Sequence, residues 1–241
     1  MALLQQIIED ASGTGSVPGV LRRLKVVAKR IGAENTLLPW VIRELEGYSA
    51  EDTVPTYRSP VRLQPYGIFT TGVRLPLRRD ALPENWRTPA QFEFPRTHPL
   101  AVIEGLAVDG GASIAWSGEV VAVLNGRIER GEAGLNPILN CIGVTALLNR
   151  HAFDTVLDAV RNRALDLALE LESVAPDVGE VGVPEEVNEE ARSVTTNIFL
   201  GASFAGSNNA FGSTDVSQAI AALTDSAAPA DPPSTIRRSL R

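Results

Sequence analysis

The sequence is short of the residues that carry most enzyme chemistry. It has one cysteine and two histidines in 241 residues. Cys141 therefore has no intramolecular disulfide partner, and a disulfide-stapled scaffold is excluded. Its apolar setting, LNPILNCIGVTALLN, suits a cysteine that acts as a small hydrophobe. A reducing cytoplasm is the expected compartment. No HEXXH or paired CXXC spacing occurs, so no metal or other cofactor is expected, and His98 and His151 read as structural. Lysine appears only at positions 25 and 29, and no GXSXG elbow is present. Aromatics make up 5% of the chain, which leaves its core to Leu, Val, Ile and Ala. No apolar run reaches the roughly 18 residues of a membrane span, and MALLQQIIEDASG lacks the basic n-region of a signal peptide.

Charge is present but uneven. The formal net charge is −7. Residues 1–60 are neutral in sum and residues 61–150 carry +1, so residues 151–241 hold −8. Phosphate contacts need a basic surface, so nucleic acid is not an expected partner. Arg22, Arg23, Lys25, Lys29 and Arg30 cluster on one helix, and Arg74, Arg78 and Arg79 in one loop; both groups read as solvated faces.

Apolar periodicity predicts an α+β protein that is mainly helical. Leu3, Leu4, Ile7, Ile8 and Ala11 mark a first helix stopped by Gly13 and Gly15. Ser16 and Pro18 open a second, with Val20, Leu21, Leu24, Val27, Ala28 and Ile31 on one stripe. A third begins near Asn35 or Thr36, turns Leu37, Trp40, Val41 and Leu45 inward, and ends at Gly47. Short connections make these an N-terminal three-helix bundle. Between residues 54 and 98, seven prolines exclude long helices and central strands. Val61–Leu63, Gly67–Leu77 and Ala90–Phe94 are candidate short edge strands there. A helix is expected from Pro99, and residues 113–124 fit strand or helix equally. A long amphipathic helix carries Phe153, Val156, Leu157, Val160, Ala164, Leu167, Ala168 and Leu171 and ends at Pro176.

The expected organisation is a main domain over residues 1–176, an acidic linker over 177–193, a β-prone Gly/Asn-rich segment over 194–218 and a mobile tail over 219–241. The β-prone segment, TTNIFLGASFAGSNNAFGSTDVSQ, spaces its glycines at 201, 206 and 212. That spacing fits neither a dinucleotide fingerprint nor a P-loop, and no lysine follows. Its apolar groups and an Asn turn suggest a β-hairpin, docked on its own domain or stacked on other copies. Ile198, Leu200, Phe204, Asn208 and Phe211 are the candidate oligomerisation residues, and a homo-oligomer is the expected state.

Several segments together resemble a known family. Trp40, Glu44, Leu45, Gly47 and Tyr48 form a W-x3-EL-x-GY core that continues to Pro55, Tyr57 and Arg58. FDTVLDAVRNRALDLALELESVAPDVGE and NIFLGASFAGSNNAFGSTDVSQ follow in the same order. This order is similar to the AbiTii-type domain of bacterial abortive-infection proteins. The resemblance implies antiphage defence, with a phage component or a co-encoded defence protein as partner, and it assigns no catalytic residues. Trp40, Glu44, Tyr48, Tyr57 and Arg58 are the candidate binding residues, serving either recognition or a structural clasp between helix and loop. A non-enzymatic sensing or self-assembling component is the leading expectation. A toxin enzyme such as a metal-dependent nuclease, and a sensor of a nucleotide signal seated in the Pro-rich middle, are the alternatives.

Overall fold

The computed structural model describes residues 2–204. It is an α+β fold dominated by helices. The N-terminal bundle consists of α1 (Leu3–Ser12), α2 (Val17–Arg30) and α3 (Leu37–Glu46). Their stripes at helical spacing give the buried faces, led by Leu4, Ile7, Leu21, Leu24, Leu37 and Val41. Ser16 precedes α2 as expected, but its side chain does not cap the helix. A distant carboxylate does so instead. Glu104 accepts from the Val17 N–H at 3.0 Å and from the Ser16 hydroxyl at 2.8 Å. That cap places a negative charge at the positive end of the helix dipole.

After a short 3-10 turn at Thr56–Arg58 come β1 (Val61–Arg62), β2 (Pro65–Phe69), β3 (Arg74–Pro76), the single-turn α4 (Pro89–Phe92) and β4 (Glu93–Phe94). Among the described residues β1 pairs only with β4. α5 (Leu100–Val108), β5 (Gly111–Ala115), α6 (Gly118–Glu129), β6 (Cys141–Asn149) and α7 (His151–Val174) follow. The ambiguous 113–124 segment is thus a strand end, a turn capped by Ser117 and a helix start. The larger sheet is antiparallel, in the order β3-β2-β6-β5.

Two expectations about strands are corrected here. β2 is an interior strand, flanked by β3 and β6, although the proline density argued against one. Pro65 sits at its first residue, where its carbonyl still accepts from the Leu77 N–H at 2.8 Å and the Gln64 side-chain amide takes the place of its missing N–H by donating to the Leu77 carbonyl at 3.0 Å. The second correction concerns the C-terminal part. Residues 177–193 are not simply a linker, and residues 194–204 are not a strand: both contribute to α8 (Glu185–Phe204). Val187, Ala191, Val194, Thr195 and Ile198 recur at helical spacing. Ala191 and Thr195 are buried, and the others pack against the core. Docking this stripe overrides the β propensity of Ile198 and its neighbours. Leu200 and Phe204 lie on the last turns of the same helix. Asn208, Phe211 and the expected tail lie outside the described residues.

Strand β6 joins two apolar clusters. Its Ala146 and Leu148 belong to the helical core with α1, α2, α3, α5 and α7. Its Cys141 and Val144 belong to a second cluster with Phe69, Leu82, Phe92, Trp116, Leu124 and Ile128. Both clusters lie on one face of the sheet, and the opposite face carries no helix among the described residues. Gly111 fixes how β5 lies on β6. Its φ is +129°, and a Cβ there would stand 1.9 Å from the Leu148 carbonyl oxygen. Gly111→Ala is therefore expected to lose about 1–3 kcal/mol of stability, measured as a fall in urea midpoint with unchanged m.

Candidate functional site

All five candidate binding residues meet in one network. Helix α3 places Trp40 and Glu44 one turn apart on its inner face. Gly47 ends the helix at φ +93°, with no room for a Cβ beside the Thr97 carbonyl oxygen at 2.9 Å. The chain then returns, so that the Tyr48 hydroxyl donates to Glu44 Oε1 at 2.5 Å. The turn after Pro55 delivers Tyr57 and Arg58. Tyr57 donates to the same oxygen at 2.6 Å and accepts from Trp40 Nε1 at 3.1 Å. Arg58 Nη2 and Nε donate to Glu44 Oε2 at 2.5 and 3.1 Å. Arg58 Nη1 donates to the carbonyls of Arg96 and His98 at 2.8 and 2.7 Å. Both charged side chains are 0% exposed.

The electrostatics follow from that closure. Burial pushes the Tyr57 phenol up to about 12, and the Glu44 charge beside it acts in the same direction. Burial and Glu44 also push Tyr48 above the usual tyrosine range. Both phenols stay neutral and keep donating. Cations stand over both rings: Arg58 lies 5.3 Å from the Tyr48 centroid, and Arg163 lies 5.1 Å from that of Tyr57. Arg96 continues the chain of contacts outward. It donates to the Ser59 carbonyl at 2.7 Å and to Thr155 Oγ1 on α7 at 2.9 Å, while burial and the Arg58 charge lower its pKa. The carboxylate therefore has both oxygens occupied and is closed off from solvent. Chemically the group can hold α3, the Tyr57–Arg58 turn, the approach to α5 and α7 together.

Elsewhere the described residues gather no three His, Cys, Asp or Glu side chains that could hold a metal. No helix among them is long and apolar enough to cross a membrane. Burial pushes the Cys141 thiol up, and it donates to the Gly143 carbonyl at 3.2 Å. His98 stacks on Phe94 at 5.4 Å. Of the oligomerisation candidates, Ile198 packs into the core cluster through α8.

The sequence reading missed two things. One is the set of carbonyls at Arg96 and His98, which no side-chain pattern can signal. The other is a groove of about 850 Å³ on the uncovered sheet face. Tyr66, Arg74, Asp109, Ser113, Thr145 and Leu147 line it, with Tyr66 40% and Leu147 66% exposed. No sequence alternation signals that face, since outward Ile142 and Leu147 on β6 are as apolar as inward Val144 and Leu148.

Two outcomes are expected of the network. Arg58→Ala leaves an uncompensated buried carboxylate and loses about 3–5 kcal/mol. The double variant Glu44→Leu/Arg58→Met loses less than the sum of its single variants in a denaturant double-mutant cycle. The raised Tyr57 value sets an alkaline limit. Its contribution is complete below the unfolded value near 10.0 and is lost as pH rises through the folded value of about 12. Melting temperature is expected to fall across that window, and to fall less steeply in Tyr57→Phe.

No curated protein and no solved structure matches the chain. A sequence profile described as AbiTii matches residues 2–197, which takes in the bundle, the buried network, both sheets, α7 and the first two thirds of α8. The chain belongs to the AbiTii family, and with it to abortive-infection antiphage defence.

Proposed function

We propose that the protein is a non-enzymatic component of antiphage defence that works by contact, through the open face of its larger sheet. One observation carries this reading. Tyr66, Arg74 and Leu147 stand together, partly or largely exposed, on a sheet face that no described element covers. A half-exposed tyrosine and an arginine are residue types that anchor protein contacts, and the exposed leucine beside them adds open apolar surface. The buried Glu44–Arg58 network, by contrast, has its polar atoms committed internally. In this reading it is a clasp that holds the helical core in place behind the sheet.

The face and the clasp can be separated by experiment. Leu147→Glu and Tyr66→Ala change exposed side chains, so each is expected to shift stability by less than about 0.5 kcal/mol. Each is also expected to reduce phage protection in cells by at least about tenfold in plaque counts, in keeping with anchors worth more than about 1 kcal/mol. Protection unchanged in both variants, at wild-type protein levels, would remove the face from the mechanism.

A further inference from the structure

We propose that β5 is a pairing edge for a second copy of the chain, the two β5 strands running antiparallel about a two-fold axis at Ser113. The proposal rests on the contact-based reading above, because such pairing would double the open sheet face that reading uses.

The two edges of the larger sheet are built differently. The outer strand β3 carries Arg74 and Pro76, residues that discourage edge pairing. The strand at the other edge, β5, reads GASIA and has neither a charge nor a proline. Its hydrogen-bond phase is fixed by β6. The Trp116 N–H donates to the Val144 carbonyl at 3.0 Å, and Ile114 and Ala112 stand opposite Ala146 and Leu148. Antiparallel ladders use alternate residues. Ala112, Ile114 and Trp116 are thus committed to β6, whereas Ser113 and Ala115 turn their N–H and C=O groups away from it. Among the described residues no strand lies on that side, and both residues are exposed. Such a row of unpaired backbone groups is a template for another strand.

Symmetry makes a second copy a good occupant. In the two-fold register Ser113 faces its own counterpart, and Gly111 faces Ala115 of the second copy. Every side chain at these positions is small and uncharged, so nothing repels across the axis. The flanking Asp109 falls opposite Ser117 rather than opposite itself. Pairing would also extend the sheet without a break, and set the two Tyr66–Leu147 faces side by side on one surface.

The test uses the full chain and its mass by sedimentation. Ser113 is exposed, and its hydroxyl shares a hydrogen bond with that of Thr145, at 2.9 Å. Ser113→Lys and Ser113→Glu should therefore keep the fold, as checked by thermal melting. The wild type is expected to dimerise. Each charge variant opposes its own charge at the axis, and is expected to weaken the dimer by roughly two- to fivefold. An equimolar mixture of the two variants should restore dimerisation as a heterodimer, an outcome that requires Ser113 to face Ser113. A wild type that stays monomeric at all concentrations overturns the proposal, and so do charge variants that remain as dimeric as wild type. Slow amide exchange at Ser113 and Ala115 in a monomeric wild type also overturns it, because the edge is then covered from within the chain. Failure of the contact reading looks different: full phage protection in Leu147→Glu and Tyr66→Ala, with a wild type that still dimerises through Ser113, leaves the dimer standing as a finding but removes the sheet face from defence.

Discussion

The Glu44–Arg58 pair is the constraint around which the rest of the structure is arranged. Removing two charges from water costs several kcal/mol per ion, and attraction between them repays this only when the remaining polar positions are also satisfied. Here they are satisfied from several directions. Both carboxylate oxygens and Arg58 Nε, Nη1 and Nη2 have partners. Those partners come from α3, the Gly47 turn, the Tyr57–Arg58 turn and the segment before α5. A pair that demands this many partners fixes the positions of the segments supplying them. Its contribution is therefore one of geometry more than of net stability, since an apolar replacement of similar volume could be as stable.

The same constraint bears on function. A lone buried carboxylate in a cleft would be a candidate general base, its chemistry set by burial and neighbours. Glu44 is buried but not in a cleft, and its neighbours leave no oxygen free. The aromatic residues around it follow suit, with Trp40 and Tyr57 bonded to each other and Tyr48 closing on Glu44. What resembles a recognition motif by composition is inward-facing in the fold. The outward-facing residues are on the sheet, in segments that look unremarkable one by one.

That contrast explains what could be read from the sequence. The helical stripes of α1, α2, α3 and α7 were legible because each buries one face, and a single face leaves a period. The pairing of Glu44 with Arg58 was legible as one of two options, since opposite charges lay among aromatics in one short motif. The outer sheet face was not, because Tyr66 and Leu147 are distant in sequence and meet only through the β2–β6 register. Strand β2 was obscured by its prolines, although the ladder tolerates Pro65 at its start. Helix α8 was obscured in the opposite way. Its Glu185, Glu186, Glu189 and Glu190 suggested a solvated linker, and its Ile198–Leu200 run suggested a strand. The stripe from Val187 through Ala191 to Ile198 has helical spacing, but it is thin beside four glutamates and is buried only by packing on the core.

Strand β6 shows why the uncovered face and the buried network belong to one design. Its inward residues contribute to both apolar clusters, so the strand is anchored at one end by α6 and at the other by α5 and α7. Of these, α5 and α7 are held in turn by the Glu44 network, through the carbonyls before α5 and through Arg96, which donates to Thr155 of α7. A sheet with only one packed face keeps its shape when that packing is rigid; otherwise the open face would present no constant surface. The closed polar network at the back and the exposed Tyr66–Leu147 surface at the front are in this sense two ends of one chain of contacts. Loosening the first would blur the second even though no atom of the network reaches the sheet face.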